Sequence, residues 1–203
     1  METKINYQKE LEKIIKSLDR PAKVFLHSCC APCSSYCMEY LRQYFDVTVF
    51  YYNPNITDTE EYAKRVVEQE RLIEAYNTIE GMRKISFVKG AYEPDKYLET
   101  VRGFEMCKEG GSRCGRCFEL RLHETARLAK EYGMDYFTTT LTISPLKNAQ
   151  RINEIGNLIA EEQKIPFLPS DFKKNNGYLR SIELSKEYGL YRQDYCGCEF
   201  SKR

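Results

Sequence analysis

The sequence predicts an α/β fold in which a parallel sheet carries helices on both faces. Short apolar segments alternate with longer amphipathic segments along the chain, turn-forming residues separate them, and polar or cysteine residues follow the apolar segments. In such a fold, ligands bind beyond the carboxyl ends of the strands. The residues that follow each predicted strand are therefore the first candidates for a functional site.

The first part of the chain contains a helix and two strands. Apolar residues at helical spacing predict a helix over 5–18, which Pro21 separates from a short buried strand at 23–26. A second apolar segment, at 47–52, runs into an Asn-Pro-Asn turn. This turn marks the end of the second strand, since proline and asparagine interrupt regular pairing.

A long helix and a third strand come next. Asp58 or Thr59 can cap a helix that runs towards Tyr76, because their side-chain oxygens accept from free backbone N–H groups. The strand follows at 85–88. The segment 92–112 is charged and rich in glycine, which predicts a loop with short helical pieces.

The second half repeats the alternation of helix and strand. A helix begins around Cys114, shows one apolar face and ends near Gly133, where glycine suits a helix C-terminus. A fourth strand is predicted at 136–140. Helices are predicted at 148–163 and at 179–188, which completes the expected layers around the sheet.

Length and composition describe an ordinary globular protein. The 203 residues suit one α/β domain over 1–203, with a basic C-terminal extension at about 169–203 that contains a Cys-Gly-Cys motif. No apolar segment approaches the ~20 residues that span a bilayer, and the first twenty residues resemble neither a signal nor a transit peptide. We therefore expect a cytoplasmic protein without a membrane partner.

Nine cysteines are many for a cytoplasmic chain of this size. Structural disulfides are rare in that compartment, so clustered thiols more often indicate metal or redox chemistry. The cysteines fall into three groups, namely Cys29, Cys30, Cys33 and Cys37, then Cys107, Cys114 and Cys117, and finally Cys196 and Cys198.

The first two groups favour an iron-sulfur cluster. Adjacent thiols at Cys29 and Cys30 cannot easily grip one ion but can reach different corners of a multi-iron cluster. Cys114 and Cys117 stand one turn apart at a helix N-terminus, where the dipole favours thiolates. Four thiolates suffice for a 4Fe-4S cluster. A structural zinc site is the alternative, because a Cys-x-x-Cys pair commonly supplies two of the four ligands of such a site.

The third group has a single residue between its thiols. A disulfide between Cys196 and Cys198 would close a small strained ring, and strained bridges are the oxidising, easily reduced ones. Such a pair can store two electrons. The alternative is a pair of metal ligands, for example for a second iron.

Six sequence blocks together resemble the QueH family of epoxyqueuosine reductases over nearly the whole chain. They are HSCCAPC at 27–33, FYYNPNI at 50–56, RCGRCFELRL at 113–122, TTTLTISPLKN at 138–148, PSDFKK at 169–174 and YRQDYCGC at 191–198. This combination is far more specific than any of its single motifs.

The resemblance implies reduction of epoxyqueuosine to queuosine at the wobble position of tRNA. It also implies a catalytic, redox-active pair at Cys196 and Cys198. A 4Fe-4S cluster is implied on four thiols, those of Cys29, Cys30, Cys114 and Cys117. Cys33 belongs to the family pattern without an assigned role, and a second iron bound by Cys33 and a remaining thiol stays open. Cys37 and Cys107 depart from the pattern.

The fold of the family is similar to that of ATP-pyrophosphatase (HUP-like, Rossmann-type) domains. In those domains a loop rich in glycine and serine cradles phosphates after the first strand, whereas cysteines occupy the loop here. ATP is therefore not expected as a ligand. The expected partners are tRNA carrying epoxyqueuosine and an electron donor of unspecified identity.

Two other functions are compatible with the thiols, namely a thiol-disulfide oxidoreductase acting on proteins and a zinc-binding module that recognises nucleic acid. For the reductase, three residues are candidate proton donors: His27, Asp194 and Tyr195. The candidate phosphate contacts are Arg113, Arg116, Arg121, Lys173, Lys174, Arg180 and Arg192.

Overall fold

A four-stranded parallel sheet forms the centre of the molecule, whose computed structural model describes residues 5–202. The strands are β1 (Ala22–His27), β2 (Phe45–Tyr51), β3 (Ser86–Lys89) and β4 (Tyr136–Thr139). Their order is β3-β2-β1-β4, and every pair is parallel. The predicted class is confirmed, because a parallel sheet flanked by helices is a Rossmann-like arrangement. The closer likeness to ATP-pyrophosphatase domains stays a prediction.

Seven α-helices and two short 3-10 helices surround the sheet within residues 5–202. The α-helices are α1 (Tyr7–Lys16), α2 (Ala31–Leu41), α3 (Thr59–Asn77), α4 (Pro94–Thr100), α5 (Ser112–Glu131), α6 (Ala149–Gln163) and α7 (Gly177–Glu187). The 3-10 helices are Thr140–Ile143 and Glu199–Ser201. The part of helix 5–18 beyond α1 is not helical, and α4 is one of the short helices expected within 92–112.

Alternating side chains of β1 face two separate apolar cores. Val24 and Leu26 pack with residues of α1, α2 and α3 in one core. Phe25, on the opposite face, packs with residues of α5 and α6 in the other. Side chains of a strand alternate between the faces of its sheet, so one central strand serves both layers. The prediction of helices on both faces is thus confirmed.

The fourth strand ends one residue earlier than predicted. The Thr139 side chain accepts a hydrogen bond from Leu141 N at 3.1 Å and caps the 3-10 helix that begins at Thr140. Local capping by a threonine hydroxyl competes with strand pairing at this point. As a result, Thr140 turns away from the sheet and its hydroxyl faces the loop after β1.

The division into a domain and a C-terminal extension at 169–203 stays a prediction. Within the described part of the chain, no helix combines the length and the apolar character needed to cross a lipid bilayer.

Candidate metal centre

The first cysteine loop lies at the carboxyl edge of the sheet, directly after β1. Ser28 N donates to Phe50 O at 2.8 Å, and Asn53 Nδ2 donates to Ser28 O at 2.8 Å. On the other side, Thr140 Oγ1 accepts from Cys29 N at 3.2 Å. The ends of three neighbouring strands therefore hold this loop by its backbone and leave the cysteine side chains free for chemistry.

Three thiols in this loop lie close enough to hold one ion. The sulfur atoms of Cys29, Cys30 and Cys33 all lie within 4.8 Å of one another, and those of Cys29 and Cys30 are 3.9 Å apart. Tetrahedral ligation with metal–sulfur bonds of about 2.3 Å puts ligand sulfurs roughly 3.8 Å apart. The expectation that adjacent thiols cannot easily grip one ion is therefore wrong for this loop.

The charges of these three thiols are coupled. Hydrogen bonds from the Cys30 and Cys33 thiols hold the pKa of Cys29 well below its usual value. The same contacts with Cys29 raise the pKa of Cys30 to about 12 and that of Cys33 well above the ordinary range. One thiolate thus suppresses ionisation of its neighbours. A bound cation would relieve this competition, because it favours every thiolate that touches it.

The second pair of thiols opens α5, as predicted. Gly110 N contacts Cys114 Sγ at 3.2 Å, which adds a backbone donor to the free N–H groups of the helix start. Between the two cysteines, Arg151 packs over Gly115: an added Cβ would lie 1.9 Å from Arg151 Nη2, the end of a flexible side chain that would have to shift. The same guanidinium donates from Nη1 to the carbonyls of Gly110 and Gly111, so it lies against the first turn of α5.

The third pair, Cys196 and Cys198, lies on a tail fastened by buried polar groups. Arg65 Nη1 donates to Cys196 O at 3.2 Å, and the Tyr97 hydroxyl lies 2.8 Å from Cys198 Sγ. Gly197 between them has a φ of +100°, and an added Cβ would lie 2.7 Å from Ile56. Only glycine fits this left-handed, crowded position. Both thiols are free, as are the other seven cysteines.

Two adjoining cavities bring seven of the nine cysteines together. The larger, of about 350 Å³, is lined by Cys29, Cys30, Cys33 and Cys196. The smaller, of about 30 Å³, is lined by Cys114, Cys117, Cys196 and Cys198. Cys196 lines both. The structure therefore joins the three groups of thiols that the sequence separates, and it leaves Cys37 and Cys107 outside both cavities.

Comparisons with known proteins match this chain to one family. A family model described as epoxyqueuosine reductase QueH matches residues 24–203. The chain belongs to the QueH family. It is 46% identical to the epoxyqueuosine reductase QueH of Staphylococcus aureus over 203 residues, which cover 98% of this chain and 84% of the relative. The QueH of Thermotoga maritima is 36% identical over 181 residues, covering 88% and 89%. The predicted resemblance is thus confirmed.

A buried arginine joins the first two groups of thiols in this QueH chain. Arg121 is 1% exposed, and its Nη1 lies 3.8 Å from Cys117 Sγ while its Nε donates to His27 Nε2 at 3.2 Å. A further hydrogen bond joins it to Asn53. Burial lowers the pKa of Arg121, but the nearby thiols of Cys117 and Cys29 outweigh this and raise it.

The burial of Arg121 and Arg113 corrects two of the predicted phosphate contacts. Arg113 is 3% exposed and donates to the carbonyls of Glu105 and Cys107, each at 2.6 Å. Neither guanidinium can reach a phosphate on a docked nucleic acid. Arg180 is a poor candidate as well, because Glu39 binds it through two hydrogen bonds.

His27 is also misassigned as a proton donor. Burial and the Arg121 charge lower the pKa of His27 to about 3, so the ring is neutral at physiological pH. Its Nε2 lies 3.2 Å from Arg121 Nε and 3.1 Å from Tyr52 O, and its Nδ1 lies 2.8 Å from Thr139 Oγ1, so the imidazole is enclosed by protein groups on both ring nitrogens. The ring lies beneath the site and orients Arg121. Asp194 and Tyr195, by contrast, line the larger cavity.

Proposed function

We propose that this chain reduces epoxyqueuosine in tRNA to queuosine and that a 4Fe-4S cluster on Cys29, Cys30, Cys114 and Cys117 takes part. The observation that carries the proposal is the burial of Arg121 among thiols. Membership in a family of reductases makes the chain an oxidoreductase. The spacing of Cys29, Cys30 and Cys33 fits metal binding and supports this part of the proposal.

The surroundings of Arg121 fit an anionic sulfur centre. Its hydrogen-bond partners among the described residues include no carboxylate, and both His27 and Asn53 are neutral. A buried charge without a counter-charge is strongly unfavourable. The thiols of Cys29 and Cys117 are the nearby groups that can carry negative charge. Burial raises the pKa of Cys117 to about 12, and ligation to a metal would keep this thiol ionised. A cluster held by four thiolates is a suitable partner for this guanidinium.

The close spacing within the first loop favours a second metal ion. Cys33 lies within single-ion distance of Cys29 and Cys30 and faces the same cavity as Cys196. An additional iron bound by Cys33 and a neighbouring thiol is therefore part of the proposal. The same spacing suits zinc, which binds thiolates in the same geometry. Counting iron, sulfide and zinc separates these arrangements.

Reduction of the epoxide consumes two electrons and two protons and releases the oxygen as water. When bound, the metal centre supplies single electrons and a Lewis acid for the oxygen. Cys196 and Cys198 provide the second electron store, since oxidation of their dithiol to a disulfide releases two electrons and two protons. An external electron donor then returns the disulfide to the dithiol. The Tyr97 hydroxyl holds Cys198 in place for this step.

The larger cavity is open to a nucleotide of the anticodon loop. Tyr178 and Tyr195 on its wall offer rings against which a base can stack. Arg192, at the mouth, is exposed and bonded only to Ser185 Oγ at 3.0 Å, so it is free to contact a phosphate. Arg116 and Lys174 are exposed candidates on the protein surface.

Nucleoside analysis of epoxyqueuosine-containing tRNA tests the proposal directly. The protein is purified without oxygen, reduced, incubated with this tRNA, and the nucleosides are then quantified. We expect queuosine to replace epoxyqueuosine, and we expect the protein to contain about four iron and four sulfide per chain. Stoichiometric zinc without sulfide would exclude the cluster. Turnover of a protein disulfide with no change in the tRNA would favour a thiol-disulfide oxidoreductase instead.

A further inference from the structure

Lys147 places a cation between the thiols of the first cysteine loop and those at the start of α5. It lines the larger cavity with Cys29 and Cys33 and the smaller one with Cys114, and Cys196 lines both beside it. Its backbone is fixed in a tight turn, where Lys147 N donates to Ser144 O at 3.2 Å. The turn therefore places Lys147 where it lines both cavities.

Among residues 5–202, no acidic side chain forms an ion pair with the ammonium group of Lys147. Glu109 and Asp194 also line the cavity walls, but both are exposed, and neither forms an ion pair with Lys147. A lysine side chain carries a positive charge at physiological pH, so Lys147 contributes a cation to the walls of both cavities.

Two other cations near the thiols are not suited to this role. Arg121 is buried beneath the loop and donates to His27 and Asn53. Arg192 is exposed at the mouth of the larger cavity. Lys147 alone among these three is half-buried, lies at the junction of the cavities and has donors to spare.

We propose that Lys147 is a catalytic residue whose ammonium donates a hydrogen bond to the epoxide oxygen and stabilises its negative charge as the C–O bonds break. This inference rests on the proposed function. Two C–O bonds break and a C=C bond forms, with two electrons from the external reductant and two protons from solvent completing one water. Lys147 stays protonated throughout and acts as a preorganised donor.

The first test compares Lys147→Gln and Lys147→Met with Arg192→Gln in anaerobic protein acting on epoxyqueuosine-containing tRNA. Removing one preorganised donor to a developing oxyanion typically lowers kcat by about 10² to 10³. We expect such a loss in both Lys147 variants, with KM within about threefold and with iron and sulfide unchanged. Arg192→Gln, at the mouth, should mainly raise KM.

The second test measures binding instead of turnover. The wild-type protein should bind tRNA with epoxyqueuosine more tightly than tRNA with queuosine, and Lys147→Gln should remove that preference. Unchanged kcat in the Lys147 variants, or loss of iron in both, would overturn the proposal, since the latter makes Lys147 a counter-ion of the metal centre. An inactive wild-type protein would overturn the proposed function, and the binding comparison alone would then decide the role of Lys147.

Discussion

The two edges of the sheet each contain a buried arginine, and the two are stabilised differently. At the amino edge, Arg42 is 2% exposed and donates to Tyr76 O at 2.9 Å, near the C-terminus of α3. The negative end of the helix dipole also stabilises the Arg42 cation, and the centre of the Tyr76 ring lies 5.8 Å from its guanidinium carbon. At the carboxyl edge, Arg121 faces sulfur atoms and neutral groups.

The difference shows how to recognise a functional charge. Desolvation lowers the pKa of Arg42, as expected for a cation held by backbone and aromatic groups. The pKa of Arg121 is raised despite its burial, because the Cys117 and Cys29 sulfur atoms lie nearby and can carry negative charge. Burial alone therefore does not mark a functional arginine: Arg42 fastens the end of a helix with Nε and Nη2 unpartnered among the described residues, whereas Arg121 lies beside the thiols of the proposed metal centre.

The largest expected effect comes from removing a sulfur partner of Arg121. Cys117→Ala should abolish the visible chromophore and the activity, because it removes a proposed ligand. It should also lower the free energy of unfolding by about 3 kcal/mol, since it leaves a buried cation without its counter-charge. Absorption spectroscopy, iron counting and denaturant unfolding measure the three effects.

Cys37→Ala is the matched control for this change. Cys37 is equally buried, but its thiol contacts only the Cys33 carbonyl, at 3.3 Å, and faces neither cavity. We expect the spectrum to persist and the stability to fall by ~1 kcal/mol. An unaltered spectrum in both Cys114→Ala and Cys117→Ala would show that other thiols hold the metal.

Replacing the two arginines tests the comparison itself. Arg121→Met should leave a folded protein with less than half of the iron and with activity reduced about a hundredfold, because the anionic centre loses its cation. Arg42→Met should keep its iron and change the free energy of unfolding by about 2 kcal/mol or less. Equal iron loss in the two variants would mean that both arginines only support the fold.

Substitutions of the two cysteines near the C-terminus should show whether they serve electron transfer or metal binding. Cys196→Ser and Cys198→Ser should retain the 4Fe-4S spectrum, since four other thiols are its proposed ligands, while turnover falls by orders of magnitude. Alkylation and mass spectrometry of oxidised and reduced protein should detect a reversible bridge. Permanently alkylatable thiols, with iron lost on mutation, would make the tail a metal site.

The smallest effect is expected from Tyr97→Phe. The substitution removes the hydroxyl that contacts Cys198 and keeps the buried ring. A typical hydrogen bond contributes about 1 kcal/mol, so turnover should fall about fivefold with iron content unchanged. Faster alkylation of Cys198 in this variant would confirm that the hydroxyl positions the thiol, and an unchanged rate would argue against it.

The sequence alone predicts the sheet, both helical layers and the identity of the thiols. Periodic apolar segments carry that information, and parallel topology places the loop after β1 beside the start of α5. The distances among thiols are not predictable in this way. They depend on how α2 begins at Ala31 and on how Arg65 holds the tail, which are tertiary contacts.

The misassigned charges have a common physical reason. Arg121 and Arg113 lie in a charged helical segment whose sequence predicts a solvent-exposed face. Only the packing of the folded protein shows which side of α5 is buried. The roles of Arg65 and Tyr97 are not predictable from the sequence either, because only the packed structure shows that their side chains contact Cys196 and Cys198. A signal existed for Lys147, because it follows Ser144 and Pro145 in a turn beyond the fourth strand, where ligands of parallel sheets bind.

The joining of distant thiols also bears on how the protein matures. Cys29 follows the first strand and Cys196 lies near the far end of the described chain, yet they line one cavity. A group bound by thiols from both the first loop and α5 would act as a cross-link between segments that are far apart in sequence. The metal centre would then be inserted after the chain has folded, and its binding would stabilise the folded state. The metal-free protein should therefore unfold locally at the carboxyl edge of the sheet first.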